Sequence, residues 1–262
     1  MSALSINSTA YEPARDLSAR LRRRMTQWQA VAPLPAHPPQ AMISFTFDDF
    51  PRSAADTGAS ILERFGARGC YYACTGFLDR TGPSGPYFTE RDIAHLERAG
   101  HEIGAHTMSH LDCAKASTRH ALADIAHNED QLKAIGVSNP IRQFAYPYGE
   151  THTELKRELA DRFDACRGVL SGVNRKGSDA MQLRAYELGD DEASVARAST
   201  LIEAAARQPA WLIFFTHGVT DNASPFDIKP HVLSTLVRRA RDSGAALVTP
   251  SEALDKIMDA AG

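Results

Sequence analysis

An α/β barrel is the fold class that the sequence predicts, on three observations. From about residue 41 onward, short apolar runs rich in β-branched and aromatic residues alternate with segments of helical periodicity. The alternation recurs seven or eight times, which implies a parallel sheet and its closure on itself. The chain has 262 residues, an ordinary length for one such barrel.

The elements follow in order. Residues from about 13 to 30 read as a helix, with Leu17, Leu21, Met25 and Trp28 forming an apolar stripe. Arg20, Arg22, Arg23 and Arg24 lie mostly off that stripe and read as a solvated face; attraction to an anionic membrane surface is the alternative. If the barrel leaves the stripe uncovered, it would serve a homodimer. Pro33, Pro35, Pro38 and Pro39 form a stiff connector, so residues 1–40 are an N-terminal helical extension and residues 41–262 the barrel.

Within the barrel the strand-like runs are Met42–Phe47, Gly69–Cys74, Glu102–Ala105, Gln143–Tyr146, Phe163–Val169, Gln182–Leu188, Trp211–Thr216 and Ala245–Val248. Helical patterns separate most of them: Ala54–Phe65, Glu90–Ala99, Thr118–Ile135, Thr153–Asp161, Glu192–Arg207 and His231–Ser243. Thr89-Glu90-Arg91-Asp92 is a capping-box pattern, and Thr249-Pro250-Ser251-Glu252 adds proline at the first helical position. Gly66, Gly100, Gly136 and Gly244 stand where helices should stop.

Composition excludes several classes. Apolar residues make up 43% and charged residues 23% of the chain, as in a globular protein, and a net charge of −3 gives no footprint for nucleic acid. No apolar run reaches the length of a membrane span, and Met1 to Ala10 has no apolar signal core. The four cysteines, Cys70, Cys74, Cys113 and Cys166, lack zinc-finger spacing and read as free thiols, so the expected location is the cytoplasm.

The chemistry gathers at strand ends, where a barrel of this kind carries its site. Ile43-Ser44-Phe45-Thr46-Phe47 ends in two adjacent carboxylates, Asp48 and Asp49, which repel unless a cation or a proton separates them. The third strand ends in His106-Thr107-Met108-Ser109-His110, the fourth in Tyr146-Pro147-Tyr148-Gly149, and the seventh in Thr216-His217-Gly218. His106 and His110 are four apart, so a helical turn would face both rings to one ion. With a strand-end carboxylate they make a set of two histidines and one carboxylate that leaves a position open for water. Zinc suits it best, with cobalt, nickel or iron also accepted. The carboxylate not on the metal can then take a proton from a water of lowered pKa, and His217 on the opposite side can protonate an amine leaving group. The parts are those of metal-assisted amide hydrolysis.

Thr46-Phe47-Asp48-Asp49, His106-Thr107-Met108-Ser109-His110, Tyr146-Pro147-Tyr148-Gly149 and the His217 strand resemble the polysaccharide deacetylases of the NodB-homology type, carbohydrate esterase family 4, over roughly residues 41 to 250. The resemblance implies a distorted (β/α)7 barrel that removes N-acetyl groups from amino sugars. It implies Asp48 as general base, Asp49, His106 and His110 as metal ligands, the Tyr148 N–H as oxyanion donor and His217 as general acid. Phe215 stands where the family usually has a leucine lining the acetyl-methyl pocket, and Tyr146 joins it as a substrate-binding candidate. Where many members carry an arginine that orients the catalytic Asp, this chain has Ala145; Arg184 is a substitute, and Arg142 sits at the wrong end of its strand. No Asp-Trp motif is recognisable to tune His217. Two other readings remain open: an amide hydrolase such as a deformylase or an amidohydrolase of nitrogen metabolism, and a metal-keeping, non-catalytic carbohydrate-binding relative. His152 reads as a plain helix start.

Overall fold

The computed structural model describes residues 25–262. Its strands in chain order are β1 (Met42–Asp48), β2 (Cys70–Ala73), β3 (Thr81–Gly82), β4 (Gly85–Pro86), β5 (Glu102–Ala105), β6 (Gln143–Ala145), β7 (Ala165–Arg167), β8 (Tyr186–Glu187), β9 (Trp211–Thr216) and β10 (Ala246–Leu247). Eight of them form one curled sheet in the order β7-β6-β5-β2-β1-β9-β8, with β10 against the start of β1. Every pairing in this sheet is parallel, whereas β3 and β4 form a small antiparallel hairpin. Between β7 and the approach to β8 a parallel bridge joins Arg167 to Leu183, with Leu183 N donating to Cys166 O at 2.8 Å and Gly168 N to Leu183 O at 2.9 Å. The two ends of the curl meet there, giving the distorted NodB-like barrel expected.

β1 is the axis of the sheet because it is buried along its whole length and pairs with β9 over six residues. Alternation puts Ser44, Thr46 and Asp48 on one face and Phe45 and Phe47 on the other. Phe47 stacks on Tyr71 at 4.7 Å, under the helices. The inward polar groups are satisfied: Thr46 Oγ1 donates to Phe214 O at 2.9 Å and Trp211 Nε1 to Ser44 Oγ at 2.9 Å. Tyr72 fills the interior beside β5, where a Cβ on Gly104 would lie 2.5 Å from its ring. Only glycine fits at that position.

The start and stop signals act as expected. Thr89 and Asp92 form a reciprocal capping box, as do Thr249 and Glu252. The helix Thr118–Ala134 ends ahead of Gly136 at φ 101°. Elsewhere the elements differ from the sequence pattern. The segment expected as one helix from Ala54 opens with a π-helical turn, Ala54–Gly58, before the α-helix Ala59–Arg64. The strand expected over Gln182–Leu188 shrinks to two residues because Asn174 takes the ladder's place. Its side chain donates to Arg184 O at 2.9 Å and accepts from Arg184 N at 2.9 Å.

Residues 25–28 are helical, and the rest of the helix expected over residues 13–30, with Leu17, Leu21 and the arginine cluster, lies outside the described residues. Met25 and Trp28 are both exposed. The segment is held by polar bonds. The ammonium of Lys156, itself fully buried, donates to Thr26 O and Gln29 O at 2.7 Å each and pairs with Asp179 at 2.8 Å. The connector then runs along residues 177–180, with Leu34 N donating to Ser178 O at 2.8 Å. Among the described residues no helix is long and apolar enough to cross a membrane.

Candidate metal and catalytic site

The C-terminal ends of β1, β5, β6, β7 and β9 bring the polar clusters to one rim. At its centre Asp49, His106 and His110 offer ligand atoms all within 4.8 Å of one another. Asp49 Oδ1 stands 3.6 Å from His106 Nε2 and 3.5 Å from His110 Nε2. It is buried and has no hydrogen-bond partner. A tetrahedral ion with bonds of about 2.0–2.1 Å needs ligand atoms roughly 3.3–3.4 Å apart. The donor set, the spacing and the orphaned oxygen therefore fit a divalent cation.

The surroundings prepare the imidazoles for that role. His106 Nδ1 lies 2.8 Å from the backbone oxygen of Ala145; a proton on Nδ1 leaves the Nε2 lone pair facing Asp49. Burial lowers His106 to about 3 and His110 to about 4, so both rings are neutral at physiological pH. Burial also pushes Asp49 up to about 7, with the charge of His217 working against it and that of Asp48 adding to it. A cation in the cluster offsets that cost.

The histidines do not share a helical turn, contrary to the expectation from their spacing. Thr107 and His110 both take left-handed backbone, at φ 60° and 55°, and the segment is an irregular loop. Asp124 pins it: Oδ1 accepts from Met108 N at 2.7 Å and Ser109 N at 3.1 Å, and Oδ2 accepts from Ser109 Oγ at 2.7 Å. Buried Asn128 ties the strand ends together, donating to Ala73 O and Thr75 Oγ1 at 3.0 Å each and accepting from His106 N at 3.3 Å. Asp49 and Tyr148 are also left-handed, at φ 54° and 61°. Of five such non-glycine residues among the described residues, four lie at this rim, where strain of this kind gathers in functional sites.

Asp48 sits in a different environment from its neighbour. Arg167 Nη2 reaches both of its carboxylate oxygens at 2.5 Å. Burial would raise Asp48, but Arg167, helped by His106 and His217, outweighs it and holds the carboxyl below its ordinary range. The guanidinium lies over the rings of Tyr72, at 5.2 Å, and Phe215, at 4.8 Å. His217 is part-exposed on the far side, with Nδ1 3.3 Å from Phe226 O. Tyr148 packs edge-on against His110 at 4.6 Å.

Arg184 and Tyr146 are placed elsewhere than the sequence reading put them. Arg184 does not reach Asp48; its Nη1 donates to Ser171 O at 3.0 Å, and its backbone pairs with Asn174, which bridges Trp211 at the start of β9. Tyr146 turns away from the rim into the core, where its hydroxyl donates to Met181 O at 2.9 Å. Alternation explains it, since Ala145 takes the inward face of β6. His152 caps the helix Thr153–Leu159 through Nδ1, a plain helix start. Two residues escaped the sequence reading. Arg167 is a lone cation inside the expected strand-like run Phe163–Val169 and carries no other signal. Glu187, at the end of β8, had no signal; burial raises its carboxyl, against the opposing influence of His217.

Fold and rim together define a β/α barrel protein with a candidate mononuclear metal site at the C-terminal ends of its strands. The model of the family described as polysaccharide deacetylase matches residues 36–164, just under half of the chain, and over those residues the chain resembles that family, of the NodB type. No curated protein sequence matches the chain. Among solved structures it resembles a mutant of the peptidoglycan deacetylase PdaC from Bacillus subtilis, at 18% identity over 85% of this chain and 94% of that one, with a TM-score of 0.54. It also resembles the Xyl-CE4 domain of a xylanase from the hindgut metagenome of Trinervitermes trinervoides, at 17% identity, 83% and 91% coverage and a TM-score of 0.55. A third is a family 4 acetyl xylan esterase from Clostridium thermocellum in complex with a cobalt ion, at 19% identity, 82% and 90% coverage and a TM-score of 0.54. At such identities the likeness is one of fold.

Proposed function

We propose that the protein is a metal-dependent hydrolase that removes N-acetyl groups from amino sugars of an oligo- or polysaccharide or its precursor. The observation that carries this reading is the contrast between adjacent carboxyls. Asp48 is held ionised by Arg167, while Asp49 is left with a bare, buried oxygen facing two neutral imidazoles. One is suited to proton transfer and the other to a cation.

Asp49, His106 and His110 would hold the ion, zinc by preference among divalent metals. When bound, it supplies Lewis acidity to an acyl carbonyl and makes water more acidic at neutral pH. The chain's own residues do the rest. Asp48 accepts the proton of the attacking water as its oxygen bonds to the acyl carbon. The Tyr148 N–H donates to the oxyanion that develops on the carbonyl. As the carbon–nitrogen bond breaks, His217 delivers a proton to the leaving amine. Phe215, against Arg167, forms the apolar wall for the acyl methyl group. Glu187, at the end of β8, is near enough to His217 for the charge of His217 to act on its carboxyl.

A substrate panel tests the reading. Zinc-loaded protein is expected to release acetate from N-acetylglucosamine oligomers faster than from O-acetylated xylan, and to leave formamides and ureides intact. Turnover confined to the formamides or ureides would overturn the sugar assignment and leave the hydrolytic site.

A further inference from the structure

His217 takes its orientation from the loop that follows it. The chain leaves β9 at Thr216, and residues 226–228 fold back against that exit. Phe226 O is the meeting point. It accepts from Thr216 Oγ1 and His217 N at 3.1 Å each and lies 3.3 Å from His217 Nδ1. Ile228 N donates to Gly218 O at 3.0 Å, and Thr220 N to Ile228 O at 3.1 Å. The imidazole therefore faces a carbonyl, which accepts and never donates, so the shared hydrogen sits on Nδ1. In the neutral ring this leaves the lone pair on Nε2. In the imidazolium the Nδ1 bond is kept. Proton gain and loss take place at Nε2 alone, with no turn of the ring.

Asp227 fixes the carbonyl. Its side chain is 1% exposed, and both oxygens accept from backbone: Oδ1 from Gly218 N at 2.7 Å, Oδ2 from Ser224 N at 2.9 Å. Asp227 N donates in return to Ser224 O at 3.0 Å, and Phe226 N to Ser224 Oγ at 3.3 Å. A buried carboxylate is costly unless its oxygens are satisfied, and here the donors are the loop's own N–H groups. The bond from Gly218 ties the residue after His217 to the residue after Phe226, which holds the ring and its carbonyl in register. Glycine is required at 218: a Cβ there would lie 2.6 Å from Asp227 Oδ1 and 3.0 Å from Ser53 Oγ, which itself accepts from Val219 N at 3.1 Å. Asparagine cannot replace Asp227 without loss, because an amide offers one acceptor oxygen where two N–H groups converge.

We propose that Asp227 is a positioning residue for the reaction. Through Gly218 and the Phe226 carbonyl it fixes the His217 ring with hydrogen on Nδ1 and proton exchange confined to Nε2. The inference rests on the proposed function in taking His217 as the proton donor; the orientation of the ring is read from the loop alone.

The test is the tautomer of His217, read by long-range proton–nitrogen NMR on the full isotope-labelled chain, with and without zinc. The pH is set above the imidazole titration, and the signal is assigned by its loss in His217→Gln. Wild type is expected to carry the hydrogen on Nδ1, the reverse of the Nε2–H form that a free neutral imidazole prefers. In Asp227→Asn and Gly218→Ala, each checked for folding by its melting curve, that form is expected to give way to the free-ring mixture. Glu252→Ala breaks the capping box of the helix Pro250–Asp259, away from the loop, and should leave the tautomer unchanged. In the acetate assay the two loop variants should lose about tenfold or more in kcat, with KM changed less than about threefold. A free-ring tautomer in wild type, an unaltered tautomer in either loop variant, or a rise in KM at constant kcat would overturn the proposal. A tautomer fixed in wild type and lost in both variants, in protein that releases no acetate, would leave the orienting role standing and sink the deacetylase reading instead.

Discussion

Arg167, at the end of β7, holds the Asp48 carboxylate at the end of β1 with one terminal nitrogen 2.5 Å from both oxygens. The two strands are not neighbours in the sheet, so the contact crosses the barrel interior. It restores from another strand the cation that Ala145 does not supply. Removing one member of a buried pair leaves the other charge uncompensated, so Arg167→Met should destabilise the fold by about 3–5 kcal/mol. Without the guanidinium the Asp48 pKa rises, so the acid limb of the pH–rate profile should move to higher pH. A profile identical to wild type would show that Arg167 does not set the state of Asp48.

Asp124 never touches the metal cluster but pins the loop between its two histidines. Asp124→Ala frees two backbone N–H groups and one hydroxyl, and the left-handed turn at His110 loses its anchor. Zinc affinity, read by competition with a chromophoric chelator, should fall about 10- to 100-fold with the melting temperature changed far less. An unchanged affinity would mean that the loop holds its shape without this carboxylate.

Zinc should also stabilise the fold, because the cluster is assembled only in the native chain. At a hundredfold excess over its dissociation constant the gain is about 2.7 kcal/mol. The expected reading is a rise in melting temperature for wild type that is lost in Asp49→Ala and His106→Ala and kept in Asp48→Asn.

His101, below the sheet, is buried with Nδ1 accepting from Gly69 N at 3.0 Å and Nε2 3.1 Å from Glu63. Burial lowers its pKa, with the Glu63 carboxylate opposing in part. A histidine depressed in the folded state contributes stability that is present above its unfolded value of about 6.5 and lost as pH falls towards its folded value. Melting curves from pH 8 to 5 should therefore drop more steeply for wild type than for His101→Asn. Equal slopes would mean that His101 does not titrate with unfolding.

Period and punctuation made the barrel legible: alternating apolar runs marked the strands, and caps such as Thr89 and Thr249 marked the helix starts. The His106, His110 and Asp49 cluster was legible too, because strand ends in a barrel converge on one rim. The path by which it forms was not, since His-x3-His suggests a helical turn and the loop is shaped instead by Asp124, sixteen residues from Met108. Arg167 and Glu187 were invisible for a related reason. Which inward position lies across a barrel from which depends on strand order and stagger, and no local pattern encodes either. Tyr146 shows the same limit in reverse, a rim motif residue that alternation turns away from the barrel interior while Ala145 takes the inward face.

The central claim is that Asp48 moves the proton while Asp49, His106 and His110 hold the metal. Acetate release from N-acetylglucosamine oligomers by zinc-loaded wild type, Asp48→Asn and His106→Ala, with zinc content measured on the same samples, tests it most directly. Turnover is expected only in wild type, with zinc retained by Asp48→Asn and lost by His106→Ala. Full turnover by Asp48→Asn, or a wild type that takes up no zinc, would contradict it.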